Sequence, residues 1–130
     1  MTEAFDTRYG IQQGAALTKD LHFADMGFAL PLSVPASGTL VSSVIYTGNY
    51  KLFALGAYAS GALSVSVQRY LDVEGTVVQG AALTGSVSAA GALNVNNTDG
   101  LLHQAVKITF TNSGTAAVTL SLLRLILRAM

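Results

Sequence analysis

Cysteine is absent from the 130 residues, so neither a disulfide framework nor a thiolate zinc site is open to the chain, and its fold must rest on packing and backbone hydrogen bonds. Tryptophan is also absent, and there are only two prolines and two histidines. Charge is scarce: Asp, Glu, Lys and Arg make up 11% of the residues, against about 25% in an ordinary soluble domain. The seven basic and seven acidic residues cancel. No field is left to attract a polyphosphate or an anionic membrane, which disfavours nucleic acid as a partner. No apolar run reaches the roughly 18 residues of a membrane span; the nearest, Thr115 to Met130, is broken by Arg124 and Arg128. The opening MTEAFDTRYGIQQG carries Glu3 and Asp6 and no apolar core, so it does not read as a secretory signal.

Chemistry-bearing residues are equally thin. Acid–base catalysis needs titratable groups brought together, and the chain offers His22, His103 and seven carboxylates spread along its length. Phosphate-cradle, zinc-protease and nucleophile-elbow motifs are missing, and no catalytic, metal or cofactor site is expected. Asp72 and Glu74 stand two apart, as a carboxylate pair on a strand would, but beside Gly75 a solvated turn is the simpler reading. NVNNTDG, from Asn94 to Gly100, has the oxygen-bearing side chains of a calcium loop without its spacing or distal Glu, and a hairpin turn explains it. His103, at the opening of a strand, and His22 read as surface or interface residues. Five tyrosines (Tyr9, Tyr46, Tyr50, Tyr58, Tyr70) admit sugar stacking as a minority reading, with Tyr46, Tyr50 and Tyr58 clustered near a sheet edge.

What the chain has in quantity is small and apolar side chains, with 51% of residues hydrophobic. Residues 1–38 show no stable period and hold both prolines; they read as an extended N-terminal arm. Its apolar residues, Phe5, Ile11, Leu17, Leu21, Phe23, Phe28 and Leu30, are too many for a solvated tail, so it should dock on something. The competing reading gives Leu17 to Phe28 to the chain's own domain as an irregular strand or short helix.

Residues 39–130 change grammar: short Val, Leu, Tyr, Thr and Ser segments are punctuated by Gly, Asn and Asp about every ten residues. In ALSVSVQRYL, Leu63, Val65 and Val67 alternate with Ser64, Ser66 and Gln68, the mark of a half-buried strand. TLVSSVIYT, KLFALGAYA, GTVVQ, ALNVN, QAVKITFT and AAVTLSLLRLIL are further strand candidates. Connections this short favour antiparallel pairing, and the expected fold is all-β: an antiparallel two-sheet β-sandwich, jelly-roll-like, of seven or eight strands. In the last segment Val118, Leu120, Leu122 and Ile126 alternate with Thr119, Ser121, Leu123, Leu125 and Leu127, so both faces turn apolar, as in a central strand or an interface.

Two stretches carry a resemblance. SSVIYTGNYKLFALGAYASGALSVSVQRYLD, with a Gly-Asn-Tyr turn leading into a strand and a Gly-separated hairpin, and AVKITFTNSGTAAVTLSL, with a strand ending in Thr-Asn-x-Gly and returning as a Val/Leu strand, resemble the opening and closing parts of β-sandwich domains in tailed-bacteriophage virion proteins. The Asp-Gly turn that often follows the middle hairpin appears here only as Asp72-Val-Glu-Gly75. The resemblance implies a structural protein of the particle without catalytic residues: a capsid decoration (cement) protein first, a tail, baseplate or head-fibre component second. It implies the capsid surface as location, after assembly in the host cytoplasm, and the major capsid protein or other virion proteins as partners. Homo-oligomerisation, with a trimer as first guess, agrees with the neutral surface. The expected contact residues are Phe5, Tyr9, Ile11, Leu17, Leu21, Phe23, Phe28, Leu30, Tyr46, Tyr50 and Tyr58.

Overall fold

Strands with one apolar face fold only when that face is covered. The computed structural model describes residues 18–48, 50–99 and 101–129. They form strands β1 (Thr18–His22), β2 (Ser33–Val34), β3 (Gly38–Val41), β4 (Ile45–Tyr46), β5 (Leu52–Ala59), β6 (Leu63–Tyr70), β7 (Leu83–Val87), β8 (Gly91–Asn96), β9 (Ala105–Asn112) and β10 (Val118–Arg128), with a 3-10 turn at Phe23–Met26. All strand pairs are antiparallel.

Two sheets result. In one, β10 lies between β5 and an edge made of β1 and β2, and β8 closes the far side of β5. In the other, β9 lies between β6 and an edge made of β3 and β4, and β7 closes the far side of β6. With each split edge counted as one position, the sheets run 1–8–3–6 and 2–7–4–5 in chain order, which is jelly-roll connectivity. The expected all-β sandwich is the fold observed.

Local chemistry explains the split edges. Between β3 and β4 the Ser42 hydroxyl accepts a hydrogen bond from the Ile108 N–H at 2.9 Å and donates to the Ser43 carbonyl at 2.7 Å, standing in for ladder bonds where the strand breaks. After β1 the His22 N–H donates to the Asp25 carboxylate at 3.0 Å, and Gly27, at φ 84°, ends the 3-10 turn in the left-handed region.

Residues 18–38 belong to this architecture. Leu21 and Phe28, expected at an external contact, are instead buried in the domain's own core; the reading that gives this stretch to the chain's own domain, as an irregular strand or a short helix, is the one observed, with a strand and a 3-10 turn both present. The reason is coverage: Leu21 faces inward from the edge of the β10 sheet, and the Phe28 ring packs at a 56° tilt on Phe110 with centroids 5.9 Å apart. Phe23 is partly buried against the same core. Phe5, Tyr9, Ile11 and Leu17 lie outside the described residues.

Two strand expectations shift. GTVVQ forms no strand beyond a single bridge between Val78 and Tyr70, whereas Leu83–Val87 does pair with β6. In β10 the register slips between Leu120 and Leu122. This bulge inverts the phase: Val118 and Leu120 point inward before it, Leu123, Leu125 and Leu127 after it, and Leu122 is turned to solvent.

The core is continuous between the sheets, with Phe53, Phe110, Ile108 and Leu125 all fully buried or nearly so. Truncating Phe110→Ala should cost about 3–5 kcal/mol of unfolding free energy in urea titrations, as a cavity left at a site locked by both sheets. A loss below about 1 kcal/mol would show that the core is not closed around this ring.

Candidate interaction surface

The bulge in β10 builds the most distinctive surface of the domain. Register places outward residues in rows across the β10 sheet: Leu122, Tyr58 and Ala92 in one; His22, Arg124, Gly56 and Asn94 in the next; Asp20, Ile126, Ala54 and Asn96 in the third. Ala54, Gly56 and Ala92 are too small to fill the space above the sheet. A groove of about 340 Å³ remains, walled by Tyr58, Leu122 and Ile126. Leu122 is 58% exposed and Tyr58 46%. An adjoining hollow shares Leu122 and Arg124 and is bordered by Leu30, itself 70% exposed.

Polar groups rim the groove. Asn94 and Asn96 stand on β8, and Arg124 pairs with Asp20 from β1. The Arg124 guanidinium, bonding directly to the carboxylate, holds Asp20 below the usual carboxylate range, and Asp20 raises Arg124 in return. Both groups are exposed, so this pair orients side chains more than it stabilises the fold. An apolar floor with polar rails has the chemistry that a protein surface or the ring face of a sugar would match, and among the described residues that line it no nucleophile stands beside a base.

Of the expected contact residues, the structure brings Phe23 and Leu30 to the hollow on one side of Leu122 and Tyr58 to the groove on the other. The expected tyrosine cluster does not form. Tyr46 is 55% exposed on the outer face of the β9 sheet, across the sandwich from Tyr58, and Tyr50 is partly buried against the core. Alternation explains this: β4 and β5 belong to different sheets, so their outward residues point in opposite directions. Leu122 and Arg124 were not singled out from sequence, because the phase change at the bulge is invisible in the residue pattern.

A second polar group of residues closes one end of the sandwich. Arg69 follows Val65 and Val67 in the inward phase of β6 and is 4% exposed; its guanidinium donates to the Asp99 carboxylate at 2.8 Å. That bond, with the Leu101 N–H as a second donor, holds Asp99 below the usual range. Asn94–Asn96 thus end β8, and Asn97, Thr98 and Asp99 lead on toward β9 in the other sheet rather than forming a hairpin turn. Buried Asn97 accepts from the Phe53 N–H at 2.7 Å and donates to the Lys51 carbonyl at 2.8 Å. Asp72 caps a turn, as expected: its carboxylate accepts from the backbone N–H groups of Thr76 and Val77, each at 2.9 Å, and from the Thr76 hydroxyl. Among the described residues no three His, Asp or Glu side chains gather as metal ligands.

His103, which the sequence places at the surface or an interface, is buried instead. It is 2% exposed, not a surface residue, and stacks edge-on against Phe53. The Lys51 carbonyl, 3.3 Å from Nε2, can only accept, so Nε2 carries the proton and Nδ1 accepts from the Thr47 hydroxyl at 2.7 Å. Burial pushes the imidazole pKa below its usual value. The unfolded chain, with an ordinary imidazole near pH 6.5, therefore takes up a proton that the folded chain refuses. Stability should be flat above about pH 6.5 and fall as pH drops below it, by at most about 1.4 kcal/mol per pH unit, until the folded pKa is reached. In urea unfolding at stepped pH, His103→Gln should remove that downturn; an unchanged profile would mean the imidazole titrates freely in the fold.

No protein-family model matches the sequence, and no curated protein matches it. Among solved structures, the enzymatically active domain of tailspike protein 4 of bacteriophage CBA120 aligns with a TM-score of 0.53 at 18% identity, over 85% of this chain and 18% of that one. The xylan-binding module CBM86 from Roseburia intestinalis aligns at 0.49 with 12% identity, over 86% of this chain and 95% of that one. PirA aligns at 0.48 with 13% identity, over 92% and 99%. At such identities the tailspike likeness speaks to architecture alone, and it agrees with the topology: the chain is a jelly-roll-like β-sandwich.

Proposed function

We propose that the chain is a structural component of a tailed-phage particle, a capsid decoration protein in the first instance, that works without a catalytic step by docking on particle protein through the outer face of the β10 sheet. The observation that carries this reading is the exposed row of Leu122 and Tyr58, flanked by Leu30, on a sheet face whose centre is lined with alanine and glycine. A water-facing sheet ordinarily turns polar side chains outward, whereas apolar exposure rimmed by polar groups suits a contact surface. The scarcity of charge accords with a place in a particle, where neutral surfaces pack against one another.

Density-gradient-purified particles should contain this protein near one copy per shell subunit, and a Leu122→Asp variant should bind them at least about tenfold more weakly with its thermal unfolding unchanged. A few copies per particle would transfer the protein to the tail or baseplate. Its absence from particles would overturn the reading.

A second reading has its own observation. Tyr58 stands at the end of a small-residue trough lined by Asn94 and Arg124, with Asp20 bonded to Arg124 and Asn96 in the next row, which gives a pyranose a stacking face and hydroxyl partners. Under that reading a glycan array gives signal that Tyr58→Ala removes; a silent array rules it out.

A further inference from the structure

A sandwich of two open sheets has four edges, and each edge is a row of backbone donors and acceptors that must be paired, covered or guarded. Three of the four are dealt with by this chain. β1 carries Lys19 and Asp20, and β2 is only two residues long between Pro31 and Pro35. β3 and β4 are short and broken at Ser42. β8 is approached from the side by β7: a Cβ at Gly85 would lie 3.0 Å from the Asn94 carbonyl oxygen and 3.0 Å from a Val95 methyl group, so the β7 backbone lies against that strand. A side chain at Gly85 would crowd that strand, and glycine permits the close approach.

The fourth edge is β7 itself. It pairs with β6 on one side and, among the described residues, with no strand on the other. From Gly75 to Thr98 the chain has no charged residue, so none of the lysines or carboxylates that commonly blunt an edge is present on β7 or its flanks. Val77 and Val78, just before the strand, are 51% and 55% exposed.

The strand reads Leu83-Thr84-Gly85-Ser86-Val87, which is the same in either direction by character: apolar, hydroxyl, glycine, hydroxyl, apolar. Thr84 and Ser86 are exposed, while Leu83 and Val87 are half-buried against the core. A two-fold axis at Gly85 would set Thr84 opposite Ser86 of the partner subunit on the outer face, and Leu83 opposite Val87 of the partner subunit on the inner face. Antiparallel pairing satisfies backbone groups on both chains, and with no charge on either strand nothing opposes it.

We infer that β7 pairs antiparallel with β7 of a second copy about Gly85, joining two β9 sheets into one continuous sheet across a two-fold axis. The partner is another molecule of this chain because the strand is complementary to itself, an isologous contact in which one patch serves both subunits. This contact lies on a different sheet from the groove beside Tyr58 and holds whether or not that groove docks on a particle. It yields a dimer rather than the trimer expected from sequence.

The register gives a charge test in sedimentation velocity over a concentration series. Wild-type protein should dimerise. Thr84→Lys with Ser86→Lys sets lysine opposite lysine twice across the axis and should shift the dimerisation midpoint upward at least tenfold, whereas Thr84→Lys with Ser86→Glu sets lysine opposite glutamate and should keep the dimer. Unchanged circular dichroism in both variants confirms that the sandwich is intact. A wild-type monomer at all concentrations, a dimer indifferent to the double lysine, or equal loss in both variants would each overturn the inference. A dimer lost only on removing residues 1–17 would assign the contact to the N-terminal segment instead.

Discussion

Everything in this domain depends on the packing of one sheet's inward face on the other's, centred on the two long strands β9 and β10. No disulfide shares the task, and the ion pairs among the described residues hold little of it, since Asp20–Arg124 is exposed and Arg69–Asp99 sits at one end of the sandwich with its carboxylate partly exposed. Fully buried Phe110 on β9 and Leu125 on β10 place the weight of stability between the sheets, where apolar area leaves water. Phe28 and Met26, from the segment between β1 and β2, complete that interior. For this reason residues 18–38 belong to the sandwich rather than to an arm.

Packing of this kind leaves polar groups at the ends of the strands that must be satisfied by side chains, and the buried asparagines and His103 do so. Asn112 illustrates the economy: its amide donates to the Val34 and Ala116 carbonyls and its carbonyl accepts from the Gly114 N–H, tying β2 to the turn between β9 and β10. Such residues look like turn formers in the sequence, and they act here as internal struts. Arg69 shows the same ambiguity, because its inward phase is visible in the Leu63, Val65, Val67 alternation but its partner Asp99 is thirty residues away.

The two-sheet fold was legible because period-two alternation in β5, β6, β8 and β9 marks which residues face inward, and short Gly- and Asn-rich connections allow only antiparallel neighbours. β7 was not legible, since a Thr-Gly-Ser centre reads as a turn and forms a strand only because β6 offers it a ladder. The surface was legible in part. Tyr58 and Leu30 stood out as apolar residues in need of a partner, but their meeting point at Leu122 depends on a one-residue bulge that shifts phase in mid-strand.

The proposed contacts rest on a mixed outer sheet face, with Leu122, Tyr58 and Ile126 beside polar neighbours, and on an uncharged edge strand. The most direct measurement is hydroxyl-radical footprinting of the protein free and in purified particles, read residue by residue. Tyr58, Leu122 and Leu30 should become protected in the particle while Tyr46, on the opposite sheet, stays as reactive as in the free protein. Equal labelling of Tyr58 and Leu122 in both states, or protection confined to the Tyr46 face, would contradict it.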